Sequence, residues 1–444
     1  MTLHSYPVYK ESGLGWISSV PAHWNITKTK HVCSFSTGWT PPTGNMSFYE
    51  GDNLWANISD LGQKTITSTA KKISDEAVKQ SGIELSPRGS LLFSFKLSIG
   101  QVSFAGCDMF TNEAIATFNG SNQLSLAYAY YAFPLTLINN AAENIYGAKL
   151  LNQELIRMAT YALPPLNEQT TIAAFLDHET AKIDALIAEQ EKLIALLAEK
   201  RQATISHAVT RGLNPDAPMK DSGVAWLGEV PAHWRVGKAG FYLSVLQGFA
   251  FPSSGFSQDE SYTRLLRGIN IGVGNIRWSD VVYWQRTDQD GLNLYELSAG
   301  DIIVGMDRPL IAAGMRVATV TTKDLPCLLL QRVAKVQAGP LVERQFILRL
   351  LSSKAFEAHF SPETTGVSVP HISTDQITSF VIPVPPIDEQ LIICNYIDFE
   401  LERLDLLNRE AKKLIECLEE RRSALIAAAV TGQIDVRNFV AEAS

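Results

Sequence analysis

The sequence predicts a mixed α+β chain built as a tandem repeat: two α/β domains joined by two long helices, the helices packed as an antiparallel coiled coil and the halves related by a pseudo-two-fold. Three observations carry this expectation. A proline-led stretch, Leu163-Pro164-Pro165-Leu166-Asn167-Glu168-Gln169, returns as Val384-Pro385-Pro386-Ile387-Asp388-Glu389-Gln390. A second stretch, Trp16 through Val20-Pro21-Ala22-His23-Trp24, returns as Trp226 through Val230-Pro231-Ala232-His233-Trp234. Behind each proline pair runs a long apolar stripe, and the second stripe repeats the first 221 residues on. The expected segments are residues 1–162 (first domain), 163–213 (first helix), 214–383 (second domain), 384–434 (second helix) and 435–444 (tail).

The prolines cannot donate ladder hydrogen bonds, so each pair ends what precedes it and fixes the start of a helix, with Asn167 and Asp388 expected as N-caps. In the first helix the expected seam runs through Leu176, Ile183, Leu186, Leu193 and Leu197. In the second it runs through Ile397, Leu404, Leu407, Leu414 and Leu418. Steps of alternating four and three residues keep such a stripe on one face, and a helix carrying it requires a partner. The nearest partner is its own copy. Residues 167–210 alone would span about 66 Å at roughly 1.5 Å per residue.

The domains are less regular. Residues 25–160 read as short strands and turns, with the apolar run Leu91-Leu92-Phe93-Ser94-Phe95 and the alternating Glu113–Phe118 as the clearest strands. Tyr262–Arg267, Asp301–Met306 and Arg316–Val320 come in the same order in the second domain. The repeated marks lie 210 residues apart at their first pair and 221 at their second, so constant ends enclose a middle that has changed in length and content. His23 and His233, each between Ala and Trp with no nucleophile pattern nearby, are expected to be structural.

With 444 residues and 46% apolar composition the chain can bury several cores. No apolar run approaches the roughly 18 residues of a membrane span and the first ten residues lack the zones of a signal peptide, so a cytoplasmic protein without a membrane partner is expected. Five scattered cysteines, with no C-x-x-C pair, argue against a disulfide framework or a zinc knuckle. The net charge of -8 sits mostly in the helical segments, while residues 1–161 and 214–382 are nearly neutral and leave room for a local basic face.

Basic side chains fall at matching places in the two domains. Lys64, Lys71, Lys72, Lys96 and Lys149 in the first, and Arg267, Arg277, Arg286, Arg308 and His371 in the second, are the candidates for contact with DNA. Such groups hold phosphates and can donate to guanine in the major groove, while Asn and Gln suit adenine. Catalytic motifs are missing. The proline pairs lack the polar first residue and aromatic last residue of an amino-methyltransferase motif, Gly272-Val273-Gly274 is a lone G-x-G, and there is no Walker loop, H-E-x-x-H or nucleophile elbow. The chain alone is expected not to be an enzyme and to need no cofactor or metal of its own.

On the marks Trp226–Trp234 with their partner at 16–24, and Pro385–Gln390 with their partner at 164–169, the chain resembles the specificity subunits of type I restriction-modification enzymes over nearly its whole length. That resemblance implies two target-recognition domains, each reading one half of a split and asymmetric sequence in double-stranded DNA. It also implies paired helices that space the domains and dock two modification (methyltransferase) subunits. Those subunits would bring S-adenosylmethionine, and restriction subunits would join the assembly. A coiled-coil protein-protein scaffold without DNA specificity is the reading from another class; sequence-dependent, salt-sensitive DNA binding separates the two.

Overall fold

The computed structural model describes residues 4–311, 314–364 and 371–439. It divides into two compact units, the first of residues 1–190 with 413–444 and the second of residues 191–412. Both boundaries fall inside the two long helices, Leu166–Arg211 and Ile387–Val430, so each unit holds one α/β domain and a part of each helix.

In the first unit the run at Leu91 forms strand Leu91–Ser94, all four residues buried, at the centre of a five-stranded sheet. Its order is Phe35–Thr37, Ile115–Phe118, Leu91–Ser94, Val102–Ala105 and Thr65–Ile66, and only the last pairing is parallel. A continuous apolar run is what a strand covered on both faces requires. Leu91, Phe93 and Phe118 pack with Phe133 of helix Leu126–Thr136, while Leu92 and Ile115 turn to a second cluster with Ala56 and Ile66. A three-stranded sheet of Phe110–Thr111, Asn53–Ala56 and Lys71–Ile73 completes the domain.

The second unit repeats this plan. Its larger sheet runs Leu243–Gln247, Val333–Ala338, Ile302–Gly305, Val317–Thr319, and its smaller one Tyr283–Trp284, Thr263–Leu266, Cys327–Leu329. The register is shared: Leu91 lies opposite Phe118 in one unit as Ile302 lies opposite Val336 in the other. This pairs the two domains position by position, which matters for the rims described below.

The repeated sequence marks turn out to be two sides of one contact. In the first unit the buried Glu168 carboxylate accepts from Trp24 Nε1 at 2.9 Å and from the Tyr6 hydroxyl, with His23 Nε2 at 2.8 Å. In the second, Glu389 holds Trp234 Nε1 at 3.0 Å and His233 Nε2 at 2.7 Å. The neighbouring glutamine ties the helix start to its domain: Gln169 accepts from Ser125 N and donates to Gln123 O and Pro164 O, as Gln390 does with Glu343 N, Leu341 O and Pro385 O. The helices begin at Leu166 and Ile387, so Asn167 and Asp388 lie inside the first turn rather than at the cap. The prolines' fixed φ starts the helix earlier, and Pro165 O and Pro386 O accept its first bonds.

Within each unit the helix segments run antiparallel, and the seam differs from the expected one at four of its ten positions. Leu176, Ile183, Ile397, Leu404 and Leu418 are buried and Leu197 is partly buried, but Leu186, Leu193, Leu407 and Leu414 are 48%, 38%, 44% and 45% exposed. The inward positions are instead Thr180, Ile187, Ile194, Arg201 and Ala208, and their copies Leu401, Asn408, Ile415, Arg422 and Ala429. From Ile183 a step of three or of four residues stays on the same helix flank, and the sequence offers an apolar residue at both, Leu186 and Ile187. Packing takes the step of four. It thereby brings Asp184 to Arg422 at 3.0 Å in the first unit and the copies of both residues, Asp405 and Arg201, to 2.5 Å in the second.

Candidate nucleic-acid interface

One end of the second unit's sheets carries a groove of about 820 Å³ rimmed by Arg267, Arg277, Arg308, Arg316 and Arg332. Each comes from the residue just outside a strand or from a loop at that end. Arg267 follows strand Thr263–Leu266 and is held by Asp280, carboxylate at 2.7 Å and carbonyl at 2.9 Å. Arg316 precedes Val317–Thr319 and is anchored through Nε to Ile271 O and Nη1 to Asp307 O, both at 2.9 Å. Burial and then the nearby Arg277 push Arg316 below the ordinary arginine range. Arg332 precedes Val333 and lies 3.7 Å from the Asp307 carboxylate, which also holds His371 Nδ1 at 3.0 Å. Arg277 and Arg308 are exposed, and neither side chain makes a hydrogen bond or ion pair among the described residues. Crowded cations with two unpaired guanidiniums form a site for an anion or a planar acceptor edge.

Of the sequence candidates, the structure gathers Arg267, Arg277 and Arg308 at this groove, with His371 beside it through Asp307. Arg286 is not among them. It donates to Asp290 at 2.6 Å, to Asn293 at 2.8 Å and to Glu296, and so braces its own loop away from the groove. Arg316 and Arg332 were missed, although both stand one residue ahead of a strand at the end where Arg308 leaves one.

In the first unit the lysines are dispersed. Lys64 pairs with Asp177 of the long helix at 2.5 Å and lies over Tyr130. Lys149 pairs with Glu143 at 2.6 Å across the small hairpin of Ala142–Glu143 and Lys149–Leu150. Lys71 lies over the Tyr49 ring, Lys72 is 3.4 Å from Asp52, and Lys96 lies over Phe95. Lys71 and Lys72 line a shallow groove of about 510 Å³ with Tyr49 and Met46. Among the described residues there is no cluster of three or more metal-ligating side chains and no helix long and apolar enough to cross a membrane.

This architecture, two copies of one α/β domain each carried on a pair of antiparallel helix segments, defines a class. The fold matches a solved chain from work on the complex assembly and conformational transition of the type I R-M system, with a TM-score of 0.69 and 16% identity over 93% of this chain and 99% of that one. It also matches the HsdS subunit from Thermoanaerobacter tengcongensis, with a TM-score of 0.53 and 16% identity over 95% and 99% of the two chains. Residues 21–195 match the family described as the type I restriction modification DNA specificity domain.

Similarity to specificity subunits of type I restriction enzymes extends well beyond that matched segment. It is 28% identical over 297 residues to the MjaVIII specificity subunit of Methanocaldococcus jannaschii, covering 66% of each chain. It is 33% identical over 208 residues to the EcoAI specificity subunit of Escherichia coli, covering 47% of this chain and 34% of that one. With the MjaIX specificity subunit of M. jannaschii it shares 22% identity over 97% of both. The alignments to the first two thus span under two thirds of those relatives' lengths.

Proposed function

We propose that this chain is the non-catalytic DNA-specificity subunit of a cytoplasmic type I restriction-modification complex. Each α/β domain reads one half of a split, asymmetric duplex target. The helix pair docks two modification subunits, which supply S-adenosylmethionine and the methylation chemistry, and restriction subunits join this core. The arginine groove of the second unit carries the reading: five guanidiniums converge at one end of the domain, and two of them have no protein partner. A polypeptide-binding scaffold has no need of that charge density.

The test is a gel shift of the chain, with its modification subunits present, on duplex DNA across a salt series. Sequence-dependent affinity should fall with salt by about 0.9 in log–log slope for each phosphate neutralised. Binding that ignores sequence and salt, or no binding, would return the chain to the scaffold reading.

A further inference from the structure

The two units share one strained backbone position, and it carries different chemistry in each. Six residues beyond the start of the central strand, Leu97 has φ 58° and Arg308 has φ 44°. Among the described residues only one other non-glycine, Arg332, has positive φ, and it lies on the same arginine rim. Left-handed backbone is disfavoured for residues with a Cβ, most of all for bulky ones, and persists where the surroundings impose it. Glycine would relieve it at both places. Burial does not explain the side chains, since Leu97 is 90% exposed and Arg308 is exposed as well. Neither makes a hydrogen bond or ion pair among the described residues. The repeat therefore keeps the backbone of a loop tip and changes what the tip presents to solvent.

The surroundings change with it. Register places Arg316 opposite Gln101 in the comparison of the units, Arg332 opposite Ala114 and Arg267 opposite Asn57. The tip in the second unit stands on a cationic rim, and the tip in the first on one that is neutral at these positions, with Lys96 where the second unit has Asp307. Resting on the DNA-reading role proposed above, we propose that position 97/308 is a base-reading position in both units: Arg308 donates to a guanine edge, and Leu97 makes apolar contact with a thymine methyl. An unpaired, exposed guanidinium can donate twice to guanine O6 and N7, and an aliphatic tip has only the thymine C5-methyl group to recognise in the major groove.

The experiment selects from random-sequence duplex DNA with the full chain and its modification subunits, comparing wild type, Arg308→Gly and Leu97→Gly. Glycine keeps the backbone and removes only the side chain, so thermal midpoints should stay level or rise. Arg308→Gly should lose about 5- to 150-fold of guanine preference at one base pair of one half-site and leave the other half-site intact. Leu97→Gly should relax a thymine in the other half-site by a smaller factor, and Leu97→Arg should draw guanine there. If Arg308→Gly weakens all sequences alike and lowers the salt slope by about 1, the residue holds a phosphate and the proposal is wrong. Unchanged selection in both glycine variants overturns it as well. If the wild type selects no sequence at all, it is the specificity-subunit reading itself that has failed.

Discussion

Glu168 and Glu389 occupy the same place in the two units and make the same bonds to Trp and His, whereas Arg308 and Leu97 occupy the same place and share no chemistry. The first pair lies where the domain meets its helix, the second at the loop end of the sheet. One scaffold thus has a part under identical packing demands in both copies and a part under none, and sequence drift has sorted accordingly. The rim of Arg267, Arg308, Arg316 and Arg332 against Asn57, Leu97, Gln101 and Ala114 would give an asymmetric reader, since two identical rims on a two-fold would read a palindrome.

The strongest test of the shared part lies in the seam. Leu176→Ala in the first unit and Leu404→Ala in the second each remove a buried leucine and should cost about 2 to 5 kcal/mol, whereas Leu186→Ala and Leu407→Ala, further along the same expected seams, should stay within about 0.5 kcal/mol. Urea titrations of the four variants read this directly. Equal losses at all four would restore the seam expected from the sequence and remove the one with a step of four.

A smaller difference is expected at the two glutamates. Glu168 is 4% exposed and serves three donors, but Glu389 serves two and its side chain is 29% exposed. Glu168→Ala strands the Tyr6 hydroxyl and Trp24 Nε1 in the interior and should cost about 3 kcal/mol, while Glu389→Ala, with water at hand, should cost about 1 kcal/mol. Comparable thermal shifts would show that Tyr6, which the second unit lacks, adds nothing to the contact.

How much of this the sequence disclosed follows from the same division. The helices, their copies and the central strands were legible because apolar periodicity and proline placement are local signals, and the run Leu91–Phe95 can hardly be other than a doubly covered strand. The choice between Leu186 and Ile187 was not legible, because both fit a helical stripe and only the facing helix decides. The rim was half legible. Arg267, Arg277 and Arg308 stood out as charges after strands, but Arg286 looked the same and is neutralised by Asp290 and Glu296, carboxylates that the fold brings within reach. Arg316 and Arg332 join the groove only through the sheet order, which places residues distant in the chain at one end of adjacent strands.

Charge on the rim offers a third measurement, at about 1 kcal/mol. Arg277→Ala removes an unpaired guanidinium from the second unit and should reduce the salt dependence of DNA binding by about 1 in log–log slope if it meets a phosphate. Lys149→Ala in the first unit, where the lysine already pairs with Glu143, should leave the slope unchanged. Equal effects would place both residues at the backbone of the duplex and erase the contrast between the rims.

The smallest expected effect concerns the thiols. Burial pushes Cys33 in the first unit, and Cys327 and Cys394 in the second, up to about 12, so these groups stay protonated and unreactive in the native state at neutral pH. Cys417 in the first unit is exposed. A thiol reagent added to the folded chain should therefore label Cys417 quickly and leave both thiols of the second unit unmodified until it opens. The linkage has a definite sign. An unfolded cysteine loses its proton near its ordinary value of about 8.5, whereas the buried ones keep theirs, so unfolding releases protons above that pH and stability falls as pH rises toward 12. With two such thiols against one, the second unit should lose more of its stability between about pH 8.5 and about pH 10; above that, Tyr6, Tyr128, Tyr130, Tyr131 and Tyr161, all raised by burial, add a loss of the same sign to the first unit. Peptide mapping after pulse labelling at successive pH values assigns each reactive thiol to its unit. Labelling of Cys327 as fast as that of Cys417 at neutral pH would show that the second unit opens locally under native conditions.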